Sequence, residues 1–266
     1  MNETITSPAN SKLKFIRKLQ DRRTRDENNV FYIEGIRIVG EALNCHWTIK
    51  EVYYSPELME VGFATQLIQS IQNQKIKIYE LGKEVFKSIS IKDGPKGISA
   101  IVEKQHFPIE NILNGGIWIA LDRIQDPGNL GTILRTADAI GAAGVLLIDN
   151  CTDPYDLGAI RSSMGAIFSL EIIKSTSSEI INLINRNDIL TIGTSDSAQL
   201  DYRDCKYSDN MILLMGSERE GLSQPLVKIC SNIVKIPMVG KSDSLNLAVA
   251  TGICLYEIFN QINPIK

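Results

Sequence analysis

The 266-residue chain has little of what metal, disulfide or membrane chemistry requires. It contains two histidines, and its five cysteines form no C-x-x-C pair, so the sequence signals neither a zinc site nor a disulfide framework. Two histidines also give little basis for a serine–histidine triad. No apolar run reaches the ~18 residues of a membrane helix, and the amino-terminal stretch lacks the apolar core of a signal peptide. We therefore expect a cytoplasmic protein without a bound metal.

The charge balance excludes a globally basic nucleic-acid binder, because the formal net charge is −3. The distribution is nevertheless uneven, and residues 12–25 contain seven basic side chains against one acidic side chain. Leu13, Ile16 and Leu19 fall close to one helical face, which predicts one short amphipathic helix with a basic outer side. The basic side of such a helix is either an ordinary solvent-exposed surface or a surface that binds the phosphate groups of a nucleic acid.

The chain divides into two segments of different pattern. We predict a small α/β domain over residues 1–107, a linker over 108–115 and a second α/β domain over 116–266, because the stretch 104–116 contains a proline and a glycine pair. Near-continuous apolar strands alternate with helices in the second domain, which is typical of a parallel sheet covered on both faces. The predicted strands are 29–35, 51–55, 75–81, 97–103, 116–122, 144–149, 170–174, 189–195, 211–217 and 232–238. The predicted helices after residue 25 are 36–43, 63–72, 129–140, 156–166, 177–187, 223–231 and 243–260.

Three loops of the second domain have an unusual composition, and ligands of parallel sheets bind at the carboxyl ends of the strands. The loops read "LDRIQDPGNLGTILR" (121–135), "LLMGSEREGLS" (213–223) and "IPMVGKSDSLNLAVATG" (236–252). The first lacks the G-x-G-x-x-G fingerprint of dinucleotide folds, and no Walker loop is present, which disfavours a nicotinamide oxidoreductase and phosphoryl transfer. Glycines beside apolar side chains suit an adenine held by main chain. The alternative, a buried strand and a tightly packed helix, stays open on residue types alone.

Taken together, the three loops resemble the three motifs of the SpoU (TrmH) family, which are S-adenosylmethionine-dependent RNA ribose methyltransferases of the SPOUT superfamily. The matching elements are N-x-G-x-x-x-R, G-x-E-x-x-G, and I-P-M followed by S-L-N, in the family's order and spacing. This resemblance covers about residues 116–266. The stretch "ITSPANSKLKFIRKLQDRRTR…VFYIEG" is similar to the substrate-binding domain, itself like small ribosomal RNA-binding proteins, that precedes many members acting on ribosomal RNA.

The resemblance implies a fold, a cofactor and a set of site residues. It implies a carboxy-terminal trefoil knot formed after residue 211, and a homodimer with each active site near the subunit interface. S-adenosylmethionine contacts are expected at Thr194, Gly216, Ile236, Met238 and Leu245. Catalytic residues are expected at Arg135, Asn129, Glu218, Ser244 and Asn246. RNA contacts are expected at Lys12, Lys14, Arg17, Lys18, Arg22, Arg23 and Arg37, because binding phosphates requires such basic clusters.

Arg135, which we expect to be buried in its helix, is the residue with the clearest chemical task. A planar guanidinium beside the ribose 2′-oxygen can hold the adjacent phosphate and stabilise negative charge that develops on that oxygen, so we expect Arg135 to be essential. Its exact task stays open, and the alternative is a structural arginine that bridges helix and sheet. Guanidinium keeps its proton in proteins, so Glu218 or the substrate's own phosphate are the alternative proton acceptors.

Simpler structural roles exist for the other polar residues. In these alternatives Asn129 caps the following helix, Glu218 is a partner for a helix dipole, and Ser244 begins a helix. We predict a methyltransferase of a ribose 2′-hydroxyl, acting on ribosomal RNA. Transfer-RNA methylation and a catalytically silent RNA-binding protein of the same fold are the alternatives.

Overall fold

A computed structural model describes residues 3–59, 63–90 and 94–263. The chain forms two units, the amino-terminal unit of residues 1–105 with 155–160 and the carboxy-terminal unit of 106–154 with 161–266. Among the described residues, no helix combines the length and the apolar character that crossing a membrane requires.

The amino-terminal unit is built on a mixed five-stranded sheet in the order β1-β4-β3-β5-β2. Strands β1, β4 and β3 are mutually parallel, and β5 runs antiparallel to both β3 and β2. The strands are β1 (Glu3–Ile5), β2 (Val30–Glu34), β3 (Ile49–Tyr54), β4 (Lys77–Leu81) and β5 (Ile98–Glu103). The helices are α1 (Ser11–Lys18), α2 (Arg22–Asn28), α3 (Ile36–Asn44), α4 (Phe63–Asn73) and α5 (Lys83–Lys87), with a 3₁₀ turn at Pro56–Leu58. The four predicted strands and the two predicted helices after residue 25 are confirmed within a few residues.

The prediction of one helix over residues 12–25 is wrong, because the segment forms two helices. Asp21 caps α2, and its carboxylate accepts a hydrogen bond of 3.0 Å from the Thr24 amide. Arg25 is 2 % exposed and donates to the carbonyls of Leu19 and Gln20 at 2.9 and 2.8 Å. Its guanidinium therefore ties the end of α1 to α2 and is not part of a basic outer side.

The carboxy-terminal unit is a seven-stranded parallel sheet in the order β10-β12-β9-β11-β6-β7-β8, which confirms the predicted fold class. Its strands are β6 (Ile117–Asp122), β7 (Gly144–Ile148), β8 (Glu171–Ser175), β9 (Thr191–Thr194), β10 (Leu200–Asp201), β11 (Met211–Met215) and β12 (Asn232–Lys235). Its helices are α6 (Pro127–Ala139), α7 (Leu157–Ser163), α8 (Ser177–Asn187), α9 (Gln224–Val227) and α10 (Leu247–Ile262), with 3₁₀ turns at Ile109–Asn114 and Ala166–Phe168. Residues 155–160, at the start of α7, group with the amino-terminal unit, where the Tyr155 ring lies 4.5 Å from that of Phe31.

The strand order brings the three unusual loops to one edge of the sheet. Strand β11 lies between β6 and β9, and β12 pairs with the other side of β9. The loops that follow β6, β11 and β12 therefore leave the sheet at neighbouring carboxyl ends, which is where a parallel sheet binds its ligand.

The segment expected to be a linker, 108–115, has structure of its own. It contains the 3₁₀ turn Ile109–Asn114, and the Ile112 side chain is 2 % exposed in the core of the carboxy-terminal unit. The Asn111 amide donates a 2.7 Å hydrogen bond to Glu171. The segment is therefore packed onto the sheet of that unit.

Candidate active site

Three side chains from the three loops form one hydrogen-bonded network. The Asn246 amide nitrogen donates to the Asn129 side-chain oxygen at 2.9 Å, and the Asn129 amide nitrogen donates to Glu218 Oε1 at 2.7 Å. Asn129 is 89 residues from Glu218 and 117 residues from Asn246. Tertiary structure therefore joins one polar residue from each motif.

The direction of each hydrogen bond in the network follows from the start of α10. Asn246 caps this helix, and its side-chain oxygen accepts from the amides of Ala248 and Val249 at 2.9 and 3.3 Å. Its nitrogen must then be the donor to Asn129, which leaves the Asn129 nitrogen to donate to Glu218. Among the residues that the structure describes, the Glu218 carboxylate accepts this one hydrogen bond, through Oε1.

The alternative role of Asn129 as a helix cap is wrong. Asp126 occupies that position, because its carboxylate accepts a 2.6 Å hydrogen bond from the backbone amide of Asn129, and Pro127 follows as the first helical residue. The side chain of Asn129 is therefore available for the network, and α6 begins two residues before the predicted start.

Arg135 is exposed, so the expectation of a buried arginine is wrong. The apolar face of α6 is formed by Leu130, Ile133, Leu134 and Ala137. At about 100° per helical residue, Arg135 and Asn129, six positions apart, lie about 120° from each other around the helix. Within the described part of the chain, its guanidinium has no hydrogen-bond or ion-pair partner. Contacts within this chain, as far as the structure describes it, therefore do not join Arg135 to the network.

A cleft of about 790 Å³ lies beside the network. Its lining includes all five predicted cofactor contacts, together with Glu218 and Ser244. Met238 and Leu245 present apolar side chains that are 39 and 38 % exposed, and Ile236 is half-buried. The Thr194 hydroxyl donates to the Leu214 carbonyl at 3.3 Å and is thus used within the sheet. Apolar faces surrounded by backbone groups fit an adenosyl group, which requires both.

Gly216 forms the part of the cleft wall where two backbone segments meet. A β-carbon at this position would lie 2.1 Å from the carbonyl carbon of Gly221 and 2.2 Å from the nitrogen of Leu222. The segments approach because the loop closes on itself, with the Gly221 amide donating to the Ser217 carbonyl at 3.0 Å. Gly221 adopts a φ of +65°, in the left-handed region. Only glycine fits at 216.

Sequence reasoning missed Asp122 and Arg123, which lie at the end of β6. The Asp122 carboxylate is fully buried and accepts a 2.7 Å hydrogen bond from the Ser223 amide, 101 residues away. The available signal was a charged pair directly after an apolar strand, immediately before the first motif.

The side chains predicted to contact RNA differ in whether they already pair with other residues of the amino-terminal unit. Lys14, Lys18 and Arg37 are exposed, and no described residue pairs with them. Ion pairs join Lys12 to Glu51, Arg22 to Asp26 and Arg23 to Glu27, while Arg17 donates to the Pro8 carbonyl and the Ser88 hydroxyl. Lys12 also lines a groove of about 790 Å³ together with Lys50, Lys75 and Lys77. Basic groups on this unit therefore extend beyond α1 and α2.

The cysteine thiols are poorly suited to nucleophilic chemistry. Burial raises the pKa of Cys151 to about 11 and that of Cys254 to about 12, so both are protonated at neutral pH. In residues 3–59, 63–90 and 94–263, no group of three or more histidine, cysteine, aspartate or glutamate side chains is placed to hold a metal ion.

The parallel α/β domain has a cleft that fits an adenosyl group beside an asparagine–glutamate network at the strand ends, which are the features expected of a methyltransferase domain. The SpoU rRNA methylase family matches residues 116–256, more than half of the chain, and the MRM3-like substrate binding domain matches residues 10–100. The protein belongs to the SpoU rRNA methylase family, as the three motifs predicted.

Relatives cover almost the whole chain. The 23S rRNA (guanosine(2553)-2′-O)-methyltransferase RlmP of Bacillus subtilis is 29 % identical over 254 residues, which are 96 % of this chain and 98 % of the relative. The 23S rRNA (uridine(2479)-2′-O)-methyltransferase of Streptomyces viridochromogenes is 28 % identical over 91 % of this chain and 87 % of its own. The structure of an AdoMet-bound rRNA methyltransferase from Sinorhizobium meliloti is 35 % identical, with a TM-score of 0.86 and coverage of 96 and 97 %.

Proposed function

We propose that this protein transfers the methyl group of S-adenosylmethionine to a ribose 2′-hydroxyl in the RNA of the large ribosomal subunit. The observation that carries the proposal is the network of Asn129, Glu218 and Asn246, which joins the three family motifs beside the cleft. Two relatives that match nearly full length are named as 23S rRNA 2′-O-methyltransferases. All five cysteines are free thiols, which fits a reducing compartment, and we place the reaction in the cytoplasm.

The residues of this chain supply position and charge. S-adenosylmethionine carries an electrophilic methyl group on its sulfonium when bound. The apolar side chains of Ile236, Met238 and Leu245 would pack against its adenine, and the Gly216 backbone would approach it closely. Glu218 accepts from Asn129 through one oxygen and would accept the 2′-hydroxyl proton through the other. Arg135 would bind the adjacent phosphate and stabilise charge on the 2′-oxygen.

Transfer of labelled methyl from S-adenosylmethionine to RNA fractions tests the proposal. Large ribosomal, small ribosomal and transfer RNA are taken from a strain lacking this gene, so that the target site is unmodified. We expect label in alkali-resistant dinucleotides of the large ribosomal RNA. Label in transfer RNA would support the alternative substrate, and S-adenosylmethionine binding without transfer to naked RNA or to ribosomal particles would support a silent RNA-binding protein.

Nucleoside analysis of the labelled product identifies the modified base. Two relatives of similar identity, 29 and 28 %, act by name on a guanosine and a uridine, so overall similarity does not select the base. The isosteric variant Glu218→Gln serves as the matched control for chemistry. It keeps an oxygen that accepts from Asn129 but cannot take a proton, and we expect normal S-adenosylmethionine binding with little transfer.

We also propose that two copies of the chain form a homodimer through α10. Val249, Tyr256 and Phe259 are 52, 54 and 37 % exposed and lie within about 80° of one another around this helix. Apolar side chains on one helix face are typical of a self-complementary interface around a two-fold axis.

Tyr256→Asp is expected to convert the dimer into a monomer, because a carboxylate at the centre of this face would have to be desolvated on association. Light scattering after size exclusion measures the mass of the particle against the 29.5 kDa chain. Val239→Asp is the control, since Val239 is a fully exposed apolar residue outside α10. A dimeric Tyr256→Asp protein would contradict the proposed interface.

The trefoil knot implied by the family resemblance also remains a proposal. It is supported by the insertion of β11 between β6 and β9, followed by the return of the chain to the far side of β9 as β12.

The double variant Lys14→Ala, Lys18→Ala is expected to weaken RNA binding and to flatten its salt dependence. Each lysine that neutralises a phosphate contributes about 0.7 to 0.9 to the slope of log K against log salt concentration. Filter binding at several salt concentrations measures the slope. Lys83→Ala, Lys87→Ala on α5 provides a matched loss of two charges, and an equal effect of both double variants would show that only net charge matters.

A further inference from the structure

The Asp122 carboxylate accepts hydrogen bonds from its neighbour Arg123 and from the loop that follows β11. It is fully buried at the end of β6, and its Oδ1 accepts from Arg123 Nε at 2.9 Å. Its Oδ2 accepts from the Ser223 backbone amide at 2.7 Å and from Arg123 Nη2 at 3.3 Å. A buried carboxylate is stable only when its oxygens are satisfied in this way.

Arg123 extends the contact from Asp122 to the loop of residues 216–223. Its backbone adopts a φ of +56°, in the left-handed region, and its amide donates to the Ile148 carbonyl at 3.2 Å. The guanidinium forms an ion pair with Glu220 and donates to the Gly221 carbonyl at 3.4 Å. The Asp122–Arg123 pair therefore holds the loop at its middle, through Glu220 and Gly221, and at its end, through Ser223.

The loop held in this way carries both functions proposed for the second motif. It contains Gly216 in the cleft wall and Glu218, which accepts from Asn129. We infer that Asp122 and Arg123 form a clamp that positions this loop, so that they are positioning residues for cofactor binding and for Glu218. The inference rests on the proposed methyltransferase function for the role of Glu218, whereas the effect on the cleft stands on geometry alone.

Arg123→Met tests the clamp, because it removes the guanidinium and keeps an unbranched apolar side chain, while substitution of the buried Asp122 risks failure to fold. We expect a rise of about tenfold in the Kd for S-adenosylhomocysteine and in the KM for S-adenosylmethionine, and a fall in kcat, since small displacements of a reacting group are costly. Arg123→Lys keeps a charge but lacks the planar fork, so it should restore part of the Kd, the KM and the kcat. Glu220→Gln should have a smaller effect, because Glu220 is 68 % exposed and its ion pair is screened by solvent.

Arg203→Met is the matched control. Arg203 donates to both carboxylate oxygens of Asp201 on β10, so this ion pair, like that of Arg123 with Asp122, joins residues close in sequence. Among the described contacts, Arg203 touches no residue of the 216–223 loop. Unchanged Kd and KM in Arg123→Met would overturn the clamp. It would also be overturned if Arg123→Met lowered Tm but changed Kd and KM no more than Arg203→Met does. If the wild-type protein methylates no RNA, the proposed function fails, while the Kd comparison still decides the clamp.

Discussion

Arg135→Ala is expected to bind S-adenosylmethionine as tightly as the wild-type protein and to lose about a hundred- to a thousandfold in kcat, the usual effect of removing one donor that stabilises developing charge. Arg135 does not line the cleft and is exposed on α6, so its removal leaves the cleft walls unchanged. Single-turnover methyl transfer measures the loss, and calorimetry with S-adenosylhomocysteine measures binding. Arg135→Lys should recover little, because an ammonium lacks the bidentate fork. Transfer at the wild-type rate in Arg135→Ala would exclude the arginine from the chemistry.

Mixing two inactive variants determines which subunit supplies Arg135. The residue lies about 120° around α6 from Asn129, is exposed and pairs with no described residue, and we therefore expect it to act on the site of the partner subunit. Mixed dimers of Arg135→Ala and Asn129→Ala subunits then contain one intact site, and random mixing restores about a quarter of wild-type activity under two-fold symmetry. If Arg135 acts within its own subunit, every site in the mixture lacks one group and the mixture stays inactive.

Gly216→Ala is expected to lower the affinity for S-adenosylmethionine strongly. The new β-carbon would lie 2.1 Å from a backbone carbon of Gly221, so the loop must move and cannot relieve the overlap with a side-chain rotation. Overpacking costs about 1–3 kcal/mol. If the loop moves away from the cleft, a free-energy cost of this size lowers the affinity for S-adenosylmethionine by up to about a hundredfold. Calorimetry measures the affinity, and thermal unfolding measures the change in stability.

Gly240→Ala is the control for that substitution. A β-carbon at Gly240 meets no atom within 4 Å, and the residue lies between β12 and α10 in the segment that carries the third motif. It should leave both the Kd and the Tm unchanged. A Gly216→Ala protein that binds the cofactor normally would show that the loop tolerates movement and that the wall at Gly216 does not shape the cleft.

Local patterns in the sequence were enough to predict the regular elements of the second domain. Helix α8 begins and ends where predicted, at Ser177 and Asn187, because Thr176 and Glu179 form a reciprocal capping box at its start. The six predicted parallel strands exist because near-continuous apolar runs are stable only when buried on both faces. The short strand β10 was missed, since its two residues carry too little periodicity to be recognised.

The amino-terminal unit shows where local pattern misleads. Seven basic residues with apolar spacing predicted one helix, yet Asp21 caps a second helix and Arg25 is buried against the carbonyls that end the first. The charge of an arginine indicates an exposed position on average, but here hydrogen bonds to two carbonyls satisfy the guanidinium in the interior.

Residue types and their order along this chain were sufficient to predict its parallel sheet, its three motifs and hence its family, because these depend on apolar periodicity and on short spacings. The partners within the site depended on tertiary structure, since the hydrogen bonds of Glu218 and Asn246 to Asn129, and of Ser223 to Asp122, span 89, 117 and 101 residues. No local pattern encodes which distant groups meet at one edge of a sheet. That depends on strand order, which places β11 between β6 and β9 and so brings the three loops together.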